Sequence, residues 1–479
     1  MAARKSNRSA ERSRLGVNSG VHSGGHSGGH SGAHSAHLLQ SLSVFLASRL
    51  APGERLCVGL SGGRDSVVLL HALRELALPL ELTALHVHHG LSPNADAWAD
   101  FCTSLCADWG VPLTLRHVEV PRDSGTGLEA AARALRHEAF AGCGEAGVKW
   151  VALAHHRDDQ AETVLLNLLR GAGVDGAGGM VVDRPHGSWA VRLIRPLLDV
   201  PRAELEAYAE AHSLVWIDDE SNADTDFRRN YLRHEIMPRL AVRFSGSDAA
   251  LARAAAHFTE GAALLADLAE LDRLATAPGG RIEIARLNAL SSARARNLLR
   301  HELRLAGCPA PDTRWIDEAL RQLASTRAEA ATCVSVGRHQ LHAYRGEVYV
   351  VEKQPAALDA PLRWLGEPAL PWAGGVLQFR EVTGEGLSRA LLAAGELRIA
   401  RRTGGERLQP DARRPRRALR NLLQETGIPP WQRERLPFLW CGDALAWIGA
   451  LGMDCRFACP PGEPGLVVEW DCRARESAR

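Results

Sequence analysis

The stretch from residue 55 to residue 70, RLCVGLSGGRDSVVLL, constrains the fold more than any other part of the sequence. A short apolar run, a glycine turn and a longer apolar run predict a buried strand, a tight loop and a helix that opens near Ser66. The paired glycines, Gly62 and Gly63, let the backbone approach a ligand closely. The helix start offers free N–H groups and a partial positive charge, which suit a phosphate group.

The side chains of this loop suit the same ligand. Ser61 and Ser66 offer hydroxyl donors, and the Asp65 carboxylate could hold a metal ion that bridges phosphate oxygens. The loop is not GxxxxGK[ST], because no lysine follows the glycines, and it is not GxGxxG. The structural alternative is a plain turn capped by Asp65 or Ser66. Because strand, turn and helix are in register, the pattern favours a phosphate-binding loop.

The segments around the loop alternate between strands and helices. Strands are predicted at residues 56–60, 80–87, 112–120 and 149–154, and helices at 37–50, 66–78, 95–109 and 128–145. Strands separated by helices of about ten or more residues indicate a parallel sheet covered on both faces. In such sheets, ligands bind beyond the carboxyl ends of the strands.

Polar residues cluster where the second and fourth strands end. His86 opens the run HVHHGL, and HHRDDQAET carries Asp159 and Glu162, which share one face of a helix start. Acidic residues in a first helical turn are favourable in any helix, so capping is the alternative explanation. Together with Asp65, these carboxylates favour a magnesium site, with Asp65 and Asp159 as its ligands. Zinc is the weaker alternative, since no cysteine lies among the histidines.

Composition limits the classes of protein that remain. The net charge of +1 means that affinity for nucleic acid must come from local patches. No apolar run is as long as a membrane span. The ten cysteines form no CxxC pair and no secretory signal precedes them, so a cytoplasmic protein with free thiols is expected.

The N-terminal tail, residues 1–37, is predicted to be a disordered low-complexity segment. Its HSGG-like repeat places four histidines in a glycine context that should not hold a helix, namely His22, His26, His30 and His34. Metal binding by this tail is a less favoured alternative. The catalytic domain is then expected over residues 38–240.

The rest of the chain predicts two further domains. Residues 241–353 are mostly helical and end in a short set of strands, 354–371 form a Pro-rich linker, and 372–479 form a last domain. The last domain carries four arginines within five positions, Arg413, Arg414, Arg416 and Arg417. An amphipathic helix and Trp431, which is expected to be exposed, follow this basic segment. Such a segment suits a phosphate backbone, whereas the alternative is a solvated charged face.

These motifs carry a resemblance to known enzymes. SGGRDS after a strand resembles the pyrophosphate loop of the N-type ATP pyrophosphatases. With RPLL (195–198), DESN (219–222), RNYLR (229–233) and LLQE…IPPW (422–431), residues 38–471 resemble the tRNA(Ile)-lysidine synthetases. Two positions depart from the usual pattern of the family: Ser92 replaces an arginine, and Ala154 replaces the glycine before the paired histidines.

The resemblance implies a fold and an activity. The fold would be a parallel-sheet α/β catalytic domain, a helical middle domain and a small α+β C-terminal domain. The enzyme would use ATP and Mg²⁺ to ligate L-lysine to carbon 2 of the wobble cytidine of tRNA(Ile) with a CAU anticodon, through an adenylated cytidine.

The resemblance also assigns roles to individual residues. Catalysis would involve Asp65, Asp159, Glu162 and Arg233; ATP would be held by Ser61, Gly62, Gly63, Arg64, Asp65, Ser66 and His86; tRNA would be held by Arg413, Arg414, Arg416 and Arg417. A tRNA thiolase of the same superfamily is an alternative, although Cys102 and Cys106 have CxxxC spacing. A non-catalytic tRNA-binding protein is another, and a homodimer is left open.

Overall fold

The computed structural model describes residues 17–19, 30–121, 127–185, 191–325, 332–353 and 360–471. The chain forms two compact units, Met1–Leu264 and Leu265–Arg479. Each unit has its own apolar core. None of the helices in the described ranges combines the length and the apolar character needed to cross a bilayer.

The N-terminal tail differs from its prediction in two places. A strand, β1 (Val17–Ser19), pairs antiparallel with β8 (Val215–Ile217), and helix α1 (His30–Ala47) begins well inside the segment predicted to be disordered. The helix is anchored by leucines four residues apart, Leu38, Leu42 and Leu46, which are fully buried. Residues 30–36 extend it because they contain a single glycine. His22 and His26 lie outside the described residues.

A six-stranded sheet forms the centre of the first unit, in the order β4-β3-β2-β5-β7-β6. Its strands are β2 (Arg55–Gly59), β3 (Glu81–His88), β4 (Leu113–His117), β5 (Trp150–Ala152), β6 (Asp183–Pro185) and β7 (Arg192–Ile194). All neighbours pair in parallel except β6, which is antiparallel to β7. The predicted parallel α/β fold is therefore confirmed, with β2 near the middle of the sheet.

Helices follow the strands in turn. They are α2 (Arg64–Glu75), α3 (Ala95–Trp109), α4 (Leu128–Gly142), α5 (Arg157–Leu169), α6 (Val174–Ala177) and α7 (Arg202–Ala211). The helix after the loop begins at Arg64, two residues before the predicted start. The buried run from Val67 to Leu70 docks it on the sheet. The segment after β8 contains α8 (Arg228–Tyr231), a π-helical turn (Leu232–Ile236) and α9 (Met237–Arg243).

The second unit begins within a long helix, α10 (Ser247–Thr276). Its helical part contains α11 (Ile284–Ala289), α12 (Ser292–Leu305) and α13 (Thr313–Ser325). These helices share a core with an antiparallel sheet of β9 (Thr332–Val336), β10 (His339–Tyr344) and β11 (Glu347–Glu352). Both the helices and the closing strands agree with the sequence prediction.

The last part of the chain packs two antiparallel sheets around one core. One sheet contains β12 (Leu362–Arg363), β16 (Leu397–Ala400), β19 (Phe438–Cys441), β20 (Ala444–Ile448) and β21 (Gly452–Met453). The other contains β13 (Ala369–Trp372), β14 (Gly375–Thr383), β15 (Leu387–Ser388) and β22 (Pro464–Asp471). Short helices and a hairpin complete it: α14 (Arg389–Leu392), β17 (Arg407–Leu408), β18 (Arg417–Ala418), α15 (Leu419–Glu425) and α16 (Pro430–Arg433).

The linker predicted over residues 354–371 is wrong in its second half. β12 lies within it, β13 overlaps its end, and each occupies the edge of a sheet. Proline is tolerated at sheet edges, which is why a Pro-rich sequence can still form these strands. Trp364 and Trp372 bury their rings in the core and hold the segment in place. Residues 354–359 lie outside the described part of the chain.

Candidate active site

The loop between β2 and α2 is closed by hydrogen bonds among its own groups. The Ser66 hydroxyl donates to the Gly63 carbonyl oxygen at 2.8 Å and accepts from the Ser61 N–H at 3.2 Å. Gly62 has a φ of +86°, and a Cβ there would lie 2.8 Å from Ile217 Cδ1. Only glycine suits both this conformation and this close approach. The serine hydroxyls, predicted as phosphate donors, thus stabilise the shape of the loop.

Helix α2 opens at this loop without a side-chain cap. Its N-cap residue, Gly63, offers no side-chain acceptor to the first turn. The N–H groups at the start of a helix need such a partner, which an anionic ligand can supply. The backbone therefore offers the N–H groups that the predicted phosphate site requires.

Arg64 has carboxylate partners of its own. Its Nη1 donates to Glu206 Oε1 of α7 at 2.6 Å, and its Nε donates to Asp65 Oδ1 at 3.2 Å. The side chain, predicted to bind ATP, is committed to these two groups. What Arg64 offers a ligand is its backbone N–H at the helix start.

A buried imidazole joins the loop to α5. His156 is the N-cap of α5, where its side chain accepts from the Asp159 N–H at 3.4 Å. Its Nε2 lies 3.5 Å from Asp65 Oδ2 and 3.4 Å from Asp159 Oδ2. His156 was not among the predicted site residues. The motif HHRDDQAET contained it, but the sequence does not reveal which of its two histidines faces the loop.

These contacts shift the pKa values of all three groups. Burial opposes ionisation of Asp65, but the hydrogen bond from His156 and the charge of Arg64 lower its pKa to about 2. Burial also disfavours the charged form of His156, yet Asp65 and Asp159 raise its pKa above the ordinary value. The pKa of Asp159 falls, against the effect of burial, because His156 and Arg229 are close. Asp65 and Asp159 thus favour the protonated imidazole, and His156 in turn favours both carboxylates. The bond from the Asp159 N–H to Nδ1 belongs to the neutral imidazole, because a protonated ring has no acceptor nitrogen.

Two arginines from the segment after β8 bind the carboxylates of α5. Arg233 donates to Glu162 Oε1 and to Asp159 Oδ1, both at 2.7 Å. Arg229 donates to Glu162 Oε2 at 3.1 Å and to Asp159 Oδ1 at 3.0 Å. Paired charge-assisted bonds of this kind are strong and fix geometry. Arg233 lies in the π-helical turn, a local geometry that often occurs at functional sites.

Arg229 is a functional candidate that the sequence analysis did not select. The available signal was its spacing of four residues from Arg233, which places both guanidiniums on one side of a helix. The structure brings Arg229 to the same carboxylates as Arg233.

His86 and His155 lie beside this cluster with different partners. The ring of His86 is buried, and its Nδ1 lies 2.9 Å from the Leu60 carbonyl oxygen at the base of the loop. Burial lowers the pKa of His86. Its contact with Leu60 supports the base of the loop, whereas the prediction assigned it a contact with the nucleotide. His155 Nδ1 accepts from Arg195 Nε at 3.2 Å, and burial lowers its pKa to about 3.

The fit to a magnesium ion can be tested on the carboxylates. About a third of the Asp65 side chain is exposed at the loop, and Asp159 keeps Oδ2 free of the arginines. Both oxygens of Glu162 are bound by arginine, which leaves the two predicted ligands, Asp65 and Asp159, as the candidates. Within the described ranges, no three His, Cys, Asp or Glu side chains are arranged to hold a metal. Two carboxylates suit magnesium, which takes its other ligands from phosphate and water.

The basic segment of the second unit divides into two pairs. Arg416 donates to the Arg407 carbonyl oxygen, and Arg417 donates to the Glu425 carboxylate. Arg413 and Arg414 are exposed, and the Arg414 guanidinium lies 3.8 Å from the Asp411 carboxylate. Arg416 and Arg417 therefore stabilise the local structure, whereas Arg413 and Arg414 are available for a phosphate backbone.

Trp431 differs from its predicted exposure. Its ring stacks on that of His342, with centroids 4.1 Å apart, and contacts Tyr344 and Tyr349 by their edges. The tryptophan thus joins α16 to the hairpin β10–β11 within the second unit.

Comparison with known proteins agrees with these motifs. Residues 35–240 match the family model of the PP-loop domain, 282–349 that of the TilS substrate binding domain, and 397–470 that of the TilS substrate C-terminal domain. Among solved structures, the U34-tRNA thiolase NcsA from Methanococcus maripaludis is 19% identical with a TM-score of 0.42, covering 48% of this chain and 80% of its own. A score this low gives no information about activity.

Curated relatives match most of the chain. The tRNA(Ile)-lysidine synthase of Aromatoleum aromaticum is 46% identical, over 89% of this chain and 100% of its own length. The enzyme of the same name from Nitrosomonas europaea is 41% identical, over 89% of this chain and 93% of its own. The chain belongs to the tRNA(Ile)-lysidine synthase family.

Proposed function

We propose that the protein ligates L-lysine to carbon 2 of the wobble cytidine of an isoleucine tRNA with a CAU anticodon, using ATP. The observation that carries this proposal is the cluster in which His156, Arg229 and Arg233 hold Asp65, Asp159 and Glu162 beside an uncapped phosphate loop. Membership of the family indicates that the substrate is a tRNA, and the cluster offers charged groups that can bind phosphate, metal and lysine.

The first step is adenylation of the cytidine. Its O2 attacks the α-phosphate of ATP, the bond to the β-phosphate breaks, and pyrophosphate leaves. The N–H groups at the start of α2 hold the pyrophosphate, and Asp65 with Asp159 would hold Mg²⁺, which neutralises charge on the phosphate oxygens. His156 fixes the relative positions of the two carboxylates. Such preorganisation lowers the barrier because no group has to reorient during reaction.

The second step is attack by lysine. Its neutral ε-amino group attacks carbon 2, AMP leaves, and the proton of the new bond is released. Asp159 and Glu162 lie where a cationic amino acid is attracted, and the remaining N–H groups of Arg229 and Arg233 can bind the phosphate of AMP. Arg229 and Glu162 would thus act in lysine handling and in AMP departure.

The thiolase alternative is disfavoured by the state of two cysteines. Cys102 and Cys106 are buried in the core, and burial raises their pKa values to about 12 and about 11. Thiols of this kind remain protonated and are poor nucleophiles and metal ligands.

Incorporation of labelled lysine tests the proposal. The protein is incubated with ATP, Mg²⁺, labelled lysine and either a CAU-anticodon isoleucine tRNA transcript or the same transcript with a GAU anticodon. Label in the first RNA, but not in the second, is expected. Label in neither, or incorporation of sulfur from a sulfide donor instead, would contradict the proposal. We place the reaction in the cytoplasm, where tRNA is modified.

A further inference from the structure

One buried cation beside the site has no part in the two proposed steps. Arg195 begins the RPLL motif directly after β7, and 5% of the residue is exposed. Its Nε donates to His155 Nδ1 at 3.2 Å, and its Nη1 donates to the Val181 carbonyl oxygen at 2.6 Å. Burial lowers the pKa of His155 to about 3, so its ring is neutral near pH 7. Both acceptors of this guanidinium are therefore uncharged.

The positive charge of Arg195 is not balanced by a neighbouring carboxylate. In the part of the chain that the structure describes, no Asp or Glu forms an ion pair with it, and the charges that act on it are those of Arg133 and Arg184. Burial and these two arginines lower the pKa of Arg195 to about 10, which still leaves it charged at pH 7. A buried charge without a partner is unfavourable, and the usual partner of a buried arginine is a carboxylate or phosphate. An anionic group of a ligand would supply that partner.

Arg195 keeps a donor for such a group. Its Nη2 donates to no described residue, yet it is not among the buried polar atoms of these residues that lack a partner, so Nη2 is accessible to solvent. The Arg195 N–H donates to the Val182 carbonyl oxygen at 2.9 Å, and buried Leu197 and Leu198 anchor the turn that follows. The guanidinium is thus held in place before any ligand binds.

The order of the strands separates this cation from the loop between β2 and α2. β5 lies between β2 and β7, so the loop, the paired histidines and Arg195 follow one another along the carboxyl edge of the sheet. Neighbouring strands are about 4.8 Å apart, which puts Arg195 roughly 10 Å from the loop along this edge. Asp159 and Glu162 belong to the helix that follows the middle strand, β5. Arg195 therefore lies one strand beyond the origin of these carboxylates, on the side away from the loop.

We propose that Arg195 binds the α-carboxylate of L-lysine through Nη2, while the ε-amino group reaches Asp159 and Glu162. Lysine is the substrate of the proposed reaction that carries a carboxylate. In an extended lysine, Cα and Nζ are about 6 Å apart, slightly more than one strand spacing. The assignment rests on the proposed function, because it concerns the substrate of the second step. It makes Arg195 the residue that selects an amino acid over a simple diamine.

Analogues of lysine test the assignment on the unaltered protein. L-lysinamide carries an uncharged amide in place of the carboxylate, and cadaverine carries hydrogen there. Each is titrated against labelled lysine in transfer to the CAU-anticodon tRNA, so that an analogue need not react itself. Both should compete about tenfold to a hundredfold more weakly than unlabelled lysine, as expected for loss of one charge-assisted hydrogen bond. Competition by lysinamide as strong as that by lysine would overturn the proposal.

Substitution of Arg195 links the selectivity to this residue. Arg195→Gln should raise the KM for lysine by about tenfold to a hundredfold, and lysine and lysinamide should then compete equally. The kcat at saturating lysine, and pyrophosphate release without lysine, should match those of the wild type. Arg195→Lys keeps the charge and should retain part of the preference, which also provides a second variant if Arg195→Gln does not fold. Arg192→Gln is the matched control, since Arg192 lies on the same strand and pairs with Asp183 at 2.9 Å; its KM for lysine should not change.

Other results would assign Arg195 differently. A higher KM for ATP or for tRNA, with an unchanged KM for lysine, would show that it binds a phosphate and would overturn the proposal. Equal weakening of lysine and lysinamide in Arg195→Gln would overturn it too, because the arginine would then only support the fold. A wild-type protein that transfers no lysine would instead contradict the proposed function. Equilibrium dialysis of labelled lysine, with lysinamide as competitor, would still measure the preference for the carboxylate.

Discussion

At the scale of single residues, the carboxylate of Asp65 connects the loop to the rest of the site. It is the group that contacts both Arg64 and His156, and it is the exposed candidate ligand for magnesium. Its neighbours in the loop act through their backbone, so the chemistry of the loop depends on this one side chain.

Replacing Asp65 by Asn should abolish pyrophosphate release while the fold persists. Asparagine has the same shape, but it removes the charge that pairs with His156 and that would bind the metal. The measurement is pyrophosphate release with saturating ATP, Mg²⁺ and tRNA, with circular dichroism as the control for folding. A rate equal to that of the wild type would contradict the magnesium role.

The Asp65–His156 pair predicts how stability depends on pH. The raised pKa of His156 gives stabilisation that is complete below about pH 6.5 and is lost as pH rises through the folded-state pKa. The lowered pKa of Asp65 gives stabilisation that is present above its ordinary value of 3.8 and is lost as pH falls toward about 2. We expect Asp65→Asn to be least stable relative to wild type between these limits, by about 1–3 kcal/mol. Urea unfolding at pH 5 and pH 9, with chelator present, measures this; equal differences at both would refute it.

Removing Arg233 should cost both activity and stability. Glu162 is almost fully buried, and Arg233→Met leaves it with Arg229 alone, so the free energy of unfolding should fall by about 3 kcal/mol. Adding Glu162→Gln should restore stability, because no buried charge is then left without a partner, while activity stays lost. Recovery of lysine transfer in the double variant would show that the pair is only structural.

At the scale of elements, two truncations of different length test which part of the N-terminal segment stabilises the first unit. Deleting residues 1–29 should leave the unfolding temperature and lysine transfer unchanged, since the pair β1–β8 joins only three residues of each strand. Deleting residues 1–42 should destabilise the first unit by several kcal/mol, because it removes buried Leu38 and Leu42. Thermal unfolding of both truncations compares them. A large loss with the shorter deletion would contradict this account.

The elements also show what a sequence can predict. The central strands and α3 were predicted to within a few residues. β2 is a buried apolar run that ends at the glycine turn, and α3 is bounded by Pro93 and Gly110. Positions of β12 and β13 were missed, since a Pro-rich edge strand has the composition of a linker. His156 and Arg229 were missed for another reason, because partners of each lie about 70 to 90 residues away in the chain. His156 meets Asp65 because β2 and β5 are neighbours in the sheet, and Arg229 meets Asp159 because α8 packs against α5. Local pattern contains no information about such partners.

At the scale of the whole molecule, substitutions in the basic segment should change tRNA binding without changing ATP binding. Converting Arg413 and Arg414 to Ala should lower the slope of log K against log salt for tRNA binding by about 0.7 to 0.9 for each lost phosphate contact. Arg416→Ala with Arg417→Ala is the matched pair, and it should reduce stability through lost internal bonds. ATP affinity should be unchanged in the first variant. Filter binding across salt concentrations measures the slope, and an unchanged slope would remove these arginines from the interface.

The cluster around α5 is electrically balanced. Its contacts join four carboxylates to four cations when the imidazole is protonated: Asp65, Asp158, Asp159 and Glu162 on one side, and Arg64, His156, Arg229 and Arg233 on the other. A balanced site exerts little long-range attraction on a polyanion, so ATP gains no steering from it. Capture of the nucleotide should therefore depend on short-range contacts, such as those with the N–H groups at the start of α2, and its rate should hardly change with ionic strength.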